Sequence, residues 1–206
     1  MEMAQQIQRA NLTAQRGFSL IELVIVIIIL GLLAATALPR LLSVTDDAED
    51  ATVEGVAGGF ATAVGLVRSQ WELDGRPASN AGANVATVSL DGVIVAVDPL
   101  KGYPTGGESD NNSSSSALTD DDCQQIFIRI LQSSPKITTS FSGNNNSNFA
   151  ENDYYTQTGT NSGQSTCLYY LVQTIKNGSS SPSGSGSGNG FEYLPQTGQV
   201  SVFSNN

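Results

Sequence analysis

Few residues in this 206-residue chain are equipped for chemistry, and one of them stands where charge is expensive. Glu22 interrupts an apolar run from Phe18 to Leu38 whose other breaks are Ser19, Gly31 and Thr36. Histidine, the commonest general base and transition-metal ligand, is absent, and Cys123 and Cys167 are the only cysteines. A four-ligand Cys/His zinc site therefore cannot be built, and no Ser-His-Asp set exists. No catalytic residue, no metal and no cofactor are expected. Nine Lys and Arg against 19 Asp and Glu give a net charge of -10, which argues against nucleic acid, because phosphate binding needs clustered cations.

The element that must hold Glu22 is a helix. At 1.5 Å per residue the run Phe18 to Leu38 covers about 30 Å, the thickness of a bilayer core. Nothing later in the chain matches it, so a single crossing is expected, and Arg9 and Arg16 ahead of it favour a cytoplasmic N-terminus. An acidic side chain inside such a span costs about 2.5 to 3.5 kcal/mol on insertion scales, so it should be paired. Arg16 lies six residues back and off the same face. A partner on another chain is the economical solution. Two simpler readings compete: a plain single-span anchor, and a secretory signal with Ala35-Thr36-Ala37 at its cut, although the run is too long for a signal core.

Arg16-Gly17-Phe18-Ser19-Leu20-Ile21-Glu22-Leu23-Val24 resembles the type IV prepilin processing motif. The resemblance implies that a prepilin peptidase cuts between Gly17 and Phe18 and methylates the new Phe18 amine. Residues 1–17 would be a cleaved leader, 18–39 the membrane or fibre-core helix, 40–75 an amphipathic half and 76–206 an extracytoplasmic globular β-sheet region. Cutting exposes a positive amine at Phe18, and that amine in one subunit can neutralise Glu22 in its neighbour when both are buried in a fibre. The likeness also implies that the stretch between Gly31 and Pro39 loses helicity on assembly; independently, Pro39 lacks a backbone donor and predicts a kink.

Beyond Pro39, Val53, Ala57, Phe60, Val64, Val67 and Trp71 recur at intervals of 4, 3, 4, 3 and 4, one apolar stripe that must cover a sheet. This places Trp71 in the core rather than on a sugar. Asp74-Gly75 and Pro77 supply the stop. Val85 to Leu90, Asp91-Gly92 and Val93 to Val97 spell a tight hairpin, and further strands are predicted at Leu168 to Ile175, Phe191 to Leu194 and Gln199 to Phe203. The class is α+β, a long helix on an antiparallel sheet. Thr105 to Thr119, Thr138 to Gly163 and Asn177 to Gly190 are polar and predict solvated surface loops. Asp120-Asp121-Asp122 opens a short helix rather than a calcium loop.

Cys123 should bond to Cys167: an outward domain matures under oxidising conditions, two cysteines allow one pairing, and closing the loop stabilises by about 4 kcal/mol on the loop-entropy account. Gly102-Tyr103-Pro104, the Asp-Cys helix ending before Pro135, and Phe191 to Val200 are also similar to mannose-sensitive haemagglutinin pilins. Together these expectations describe a type IV pilus subunit: inner-membrane precursor, prepilin peptidase and assembly platform as partners, then an extracellular homopolymer for attachment. The alternatives are a pseudopilin of a type II secretion machine and an extracytoplasmic protein on a single-span anchor.

Overall fold

A computed structural model describes residues 17–78, 85–107, 114–141, 147–175, 181–184 and 186–205. The chain divides into two compact units, one up to Val44 and one from Thr45 onward. Helix α1, Leu20–Leu73, is continuous, with Pro39 inside it. In the first unit every described residue is exposed. Within the apolar run the Thr36 hydroxyl is paired along the helix, Oγ1 donating to Leu33 O at 2.9 Å.

The second unit holds the core. The remainder of α1 buries Val53, Ala57, Phe60, Val64, Val67 and Trp71, the whole predicted stripe, together with Ala63. The helix ends as its residues dictate. Gly75 takes φ 81°, its amide reaches Glu72 O at 3.2 Å, and the Arg76 amide reaches back to Trp71 O at 2.9 Å. These are the two bonds of a Schellman stop, possible because glycine carries no Cβ to clash.

Strands β1 (Ala86–Leu90) and β2 (Val93–Val97) pair antiparallel across Asp91 and Gly92, whose φ values of 50° and 83° are both positive, as a two-residue hairpin demands. A short strand β3 (Pro104–Gly106) completes a three-stranded sheet. Then follow α2 (Asp120–Ile130), β4 (Ile137–Thr138), α3 (Ser147–Ala150), β5 (Tyr154–Asn161), β6 (Gln164–Leu171), a 3₁₀ turn at Val172–Thr174, β7 (Gly190–Leu194) and β8 (Gln199–Phe203). The second sheet runs β4-β5-β6-β7-β8. The fold is α+β as expected, yet the sheet is not wholly antiparallel: β4 lies parallel to β5.

Three loop expectations need correction. Thr138 to Gly163 contains the eight-residue strand β5, whose Tyr154, Tyr155 and Thr156 are buried. Thr105 to Thr119 begins within β3, where Thr105 is fully buried. In the Ser/Gly/Pro/Asn tract, Pro182, Gly188 and Asn189 are buried. There Tyr170 OH donates to Gly184 O at 3.1 Å and Gln157 Nε2 donates to Pro182 O, so the tract covers the outer face of the sheet. The strand predicted at Leu168 to Ile175 starts at Gln164 and gives way to the 3₁₀ turn after Leu171.

Aromatic rings fill the space between helix and sheet. Phe60 lies 5.3 Å from the ring centres of Tyr169, Phe191 and Tyr193 and 6.1 Å from Phe127. Tyr169 OH donates to Cys123 O at 2.8 Å and Tyr193 OH to Pro104 O at 3.0 Å, and burial pushes both phenols well above their ordinary pKa. Gly102 lets Trp71 settle against the backbone, since a Cβ there would lie 2.4 Å from the indole. The turn carrying Gly102 is organised by Asp98. Its Oδ1 accepts from the amides of Leu100 at 2.9 Å and Lys101 at 3.0 Å, and its Oδ2 from the amide of Ser115 at 3.2 Å. Burial alone would raise the Asp98 pKa, but hydrogen bonding to the charged form by the Ser115 side chain and by these amides outweighs it and holds the carboxyl below its usual range.

Candidate functional site

The residues that sequence patterning assigns to processing and assembly lie together at the start of the first unit. Gly17 and Phe18 precede α1, and Phe18 is 76% exposed. A Cβ built on Gly17 meets nothing within 4 Å among the described residues. The same holds for Gly31, where glycine in a helix interior costs about 1 kcal/mol relative to alanine.

Glu22 sits in the first turn of α1. Its Oε2 accepts from the backbone amide of Ser19 at 3.3 Å, and Ser19 O begins the helical bonding by accepting from the Leu23 amide at 3.2 Å. This is half of a capping box, an acidic residue three positions into the helix folding back on the residue that caps it. The Ser-x-x-Glu spacing at Ser19 to Glu22 is its signal in the sequence. Among the described residues no basic side chain forms an ion pair with Glu22. A neutral amide moderates the cost of the carboxylate without cancelling its charge, so a cation remains the better partner.

On both sides of Glu22 the large side chains between Leu20 and Val44 stand exposed, from 38% at Val24 to 80% at Leu20. This part of α1 is long and apolar enough to cross a membrane, its best window having a mean hydropathy of 2.8. Such a surface has no stable place in water, and an apolar face of this extent marks contact with a membrane or with protein. Gly31 and Pro39 both lie inside the helix, and neither terminates it.

The second unit brings together the remaining predicted pair. Cys123 and Cys167 form a disulfide with a sequence separation of 44, fastening α2 to β6. Thr119 caps α2 through a full capping box with Asp122, and Asp120 Oδ1 accepts from Thr158 N at 2.6 Å and Thr158 Oγ1 at 2.8 Å. Two of the three consecutive acids are thus used to start α2 and to tie it to β5. Gly17, Phe18 and Glu22 adjoin one another, whereas the disulfide belongs to the framework of the second unit.

Residues 12–38 match the family model for the prokaryotic N-terminal methylation motif, the motif of type IV prepilins. The chain is also similar to the type IV narrow pilus major component PilA5 of Thermus thermophilus, at 44% identity over 55 residues, covering 27% of this chain and 47% of that protein. It thus spans about half the length of this curated relative. No solved structure gives a significant match. Nothing in these comparisons extends the likeness to mannose-sensitive haemagglutinin pilins.

Proposed function

We propose that this chain, which carries the N-terminal methylation motif of type IV prepilins, is a structural subunit of a type IV pilus. In this account the precursor rests in the inner membrane through the apolar part of α1. A prepilin peptidase cuts between Gly17 and Phe18 and methylates the Phe18 amine, and an assembly platform draws the subunit into a filament. The Phe18 amine of one copy then takes Glu22 of its neighbour as counter-ion. The observation that carries the proposal is the motif at residues 12–38 running into a helix whose apolar side chains up to Val44 find no cover among the described residues.

The division of labour follows from chemistry. The apolar helix supplies cohesion, because burying its side chains against other copies removes them from water or lipid. The charge pair supplies register: a buried carboxylate without its cation is costly, so only staggers that join the two are retained. Gly31 and Pro39 are the points where the helix is easiest to deform, and we assign to the stretch between them the extension that assembly requires. The disulfide-closed second unit forms the outer surface, with attachment as its use. The role is structural rather than catalytic.

Likeness to a pilus major component favours the pilus over a type II secretion pseudopilin, which would share the N-terminal motif. Electron microscopy of producing cells with antibody against the second unit is the test. Long external fibres labelled along their length support a pilus subunit; a short periplasmic assembly with no external fibres supports the pseudopilin.

A further inference from the structure

We infer that the turn carrying Leu100 and Lys101 in one copy docks into the cleft between α1, α3 and β6 of another copy, where Asp153 receives the ammonium; this rests on the filament proposed above. Both features lie in the second unit. Leu100 is 85% exposed, more than any other large apolar side chain among the described residues. A single exposed leucine is ordinary, but this one is held in place. Asp98 Oδ1 accepts from the amides of Leu100 and Lys101, and the Gly102 amide returns to Asp98 O at 2.7 Å. A side chain presented on a fixed turn loses little freedom on binding.

The cleft holds about 780 Å³, enough for an anchoring side chain and the turn that carries it. Val56 of α1, Pro135, Phe149 and Ala150 of α3, Leu171 of β6 and Val172 give it an apolar lining. An apolar anchor seated in such a hollow is the usual energetic centre of a protein interface. Asp153 alone is charged among the described residues that line it. Just outside, Glu151 and Lys136 are exposed with opposite charges, so the rim is net negative.

Charge selects the anchor. Leu73, 80% exposed, stands between Glu72 and Asp74, and Val93 follows Asp91 and Gly92, so either would carry a carboxylate toward a site that already holds one. Leu100 brings a cation instead: Lys101 Nζ meets Gln196 Oε1 at 3.4 Å and forms no ion pair among the described residues. The turn and the cleft do not meet within one chain. Gly102, two residues past Leu100, packs on Trp71, whereas the cleft opens at Thr52 and Val56, about 22 to 28 Å back along α1. Contact between different patches of two copies is heterologous, and such contacts repeat into rings or open helical fibres rather than closing a two-fold dimer. The open fibre is the form a pilus takes.

Leu100→Ser should lower the yield of sheared filaments by about tenfold. Membrane precursor and the urea midpoint reported by Trp71 should stay unchanged, because Leu100 lies outside both core clusters. Parental filament yield from this variant overturns the contact. In filaments of the chain carrying Leu100→Cys and Ser133→Cys, at the cleft, intersubunit disulfides should appear as a ladder on non-reducing gels. Leu100→Cys combined with Thr160→Cys, an exposed position outside the cleft lining, should give no ladder. A ladder from the first pair only supports the contact; filaments with no ladder, or with equal ladders from both pairs, overturn it. If the cysteine chain forms no filaments, charge exchange decides. Lys101→Asp and Asp153→Lys should each lower yield, and the double exchange should return it to within about twofold of the parent; no return overturns the contact. A parent chain that forms no filaments overturns the pilus proposal itself.

Discussion

The Ser19 amide and the Glu22 carboxylate meet at 3.3 Å across the first turn of α1. In a single copy, then, the acidic group closes on its own helix start. In the filament proposed above, the positive amine of Phe18 on a neighbouring copy, one residue upstream of Ser19, would compete for the same oxygens with full charge rather than an amide dipole. On that proposal, exchanging a neutral donor for a charged one would give assembly a driving term that insertion alone does not have.

Glu22→Val removes the carboxylate while keeping the helix apolar. Membrane insertion should proceed at least as well, since the insertion cost of about 2.5 to 3.5 kcal/mol disappears, and cutting after Gly17 should continue. Filament yield should fall sharply. Immunoblots of membrane and sheared-fibre fractions measure both quantities, and parental yield from the variant would contradict the charge-pair mechanism.

Phe60→Ala opens a hole among Phe127, Tyr169, Phe191 and Tyr193. A cost of about 3 to 5 kcal/mol is expected for a buried phenylalanine truncated in this way. Urea unfolding of the detergent-solubilised chain, followed by tryptophan fluorescence from Trp71, reads it as an earlier midpoint with a similar slope. A shift corresponding to less than about 1 kcal/mol would mean that the ring is not a core anchor.

Replacing Cys123 and Cys167 together by Ala should lower the stability of the second unit by about 4 kcal/mol on the loop-entropy account for a separation of 44. Thermal unfolding of the double variant against the parent measures this. Equal melting temperatures would show that the packing of α2 on β6 is sufficient by itself.

Acid should weaken the second unit partly through Asp98. Hydrogen bonds to its charged form outweigh burial and depress its folded pKa, while the unfolded carboxyl titrates near its usual value of about 3.9. The group therefore contributes its full stability above that value and loses it as pH falls through the lower, folded pKa. Asp98→Asn should flatten the stability profile below about pH 4 and leave its shape unchanged near neutrality. An acid limb as steep as that of the parent would assign the effect to other carboxyls.

What could be read from the chain before folding, and what could not, divides along physical lines. The stripe from Val53 to Trp71 was legible because one helix face is buried and the other wet, so periodicity survives. Asp91-Gly92 was legible because few other dipeptides accept two positive φ angles. Strand β5 was hidden by its polar content and by burial on both faces: Tyr154 joins the core against α1, while its neighbour Tyr155 joins a second cluster with Tyr170 and Phe149. Two-sided burial erases the alternation that marks a strand. Strand β4 has two residues, and its parallel pairing with β5 arises only through tertiary contact. At the N-terminus, the motif around Gly17, Phe18 and Glu22 was plain, whereas the bond from the Ser19 amide to Glu22 depends on α1 starting at Leu20, a boundary that the surrounding apolar run does not mark.

The most direct test of the account is the N-terminal sequence and intact mass of the protein recovered from sheared surface fibres. The account predicts a chain beginning at Phe18, heavier than the unmodified sequence by one methyl group on its amine, with the Cys123–Cys167 bond intact. A chain recovered there that retains residues ahead of Phe18, or that starts at Phe18 with an unmodified amine, would contradict it.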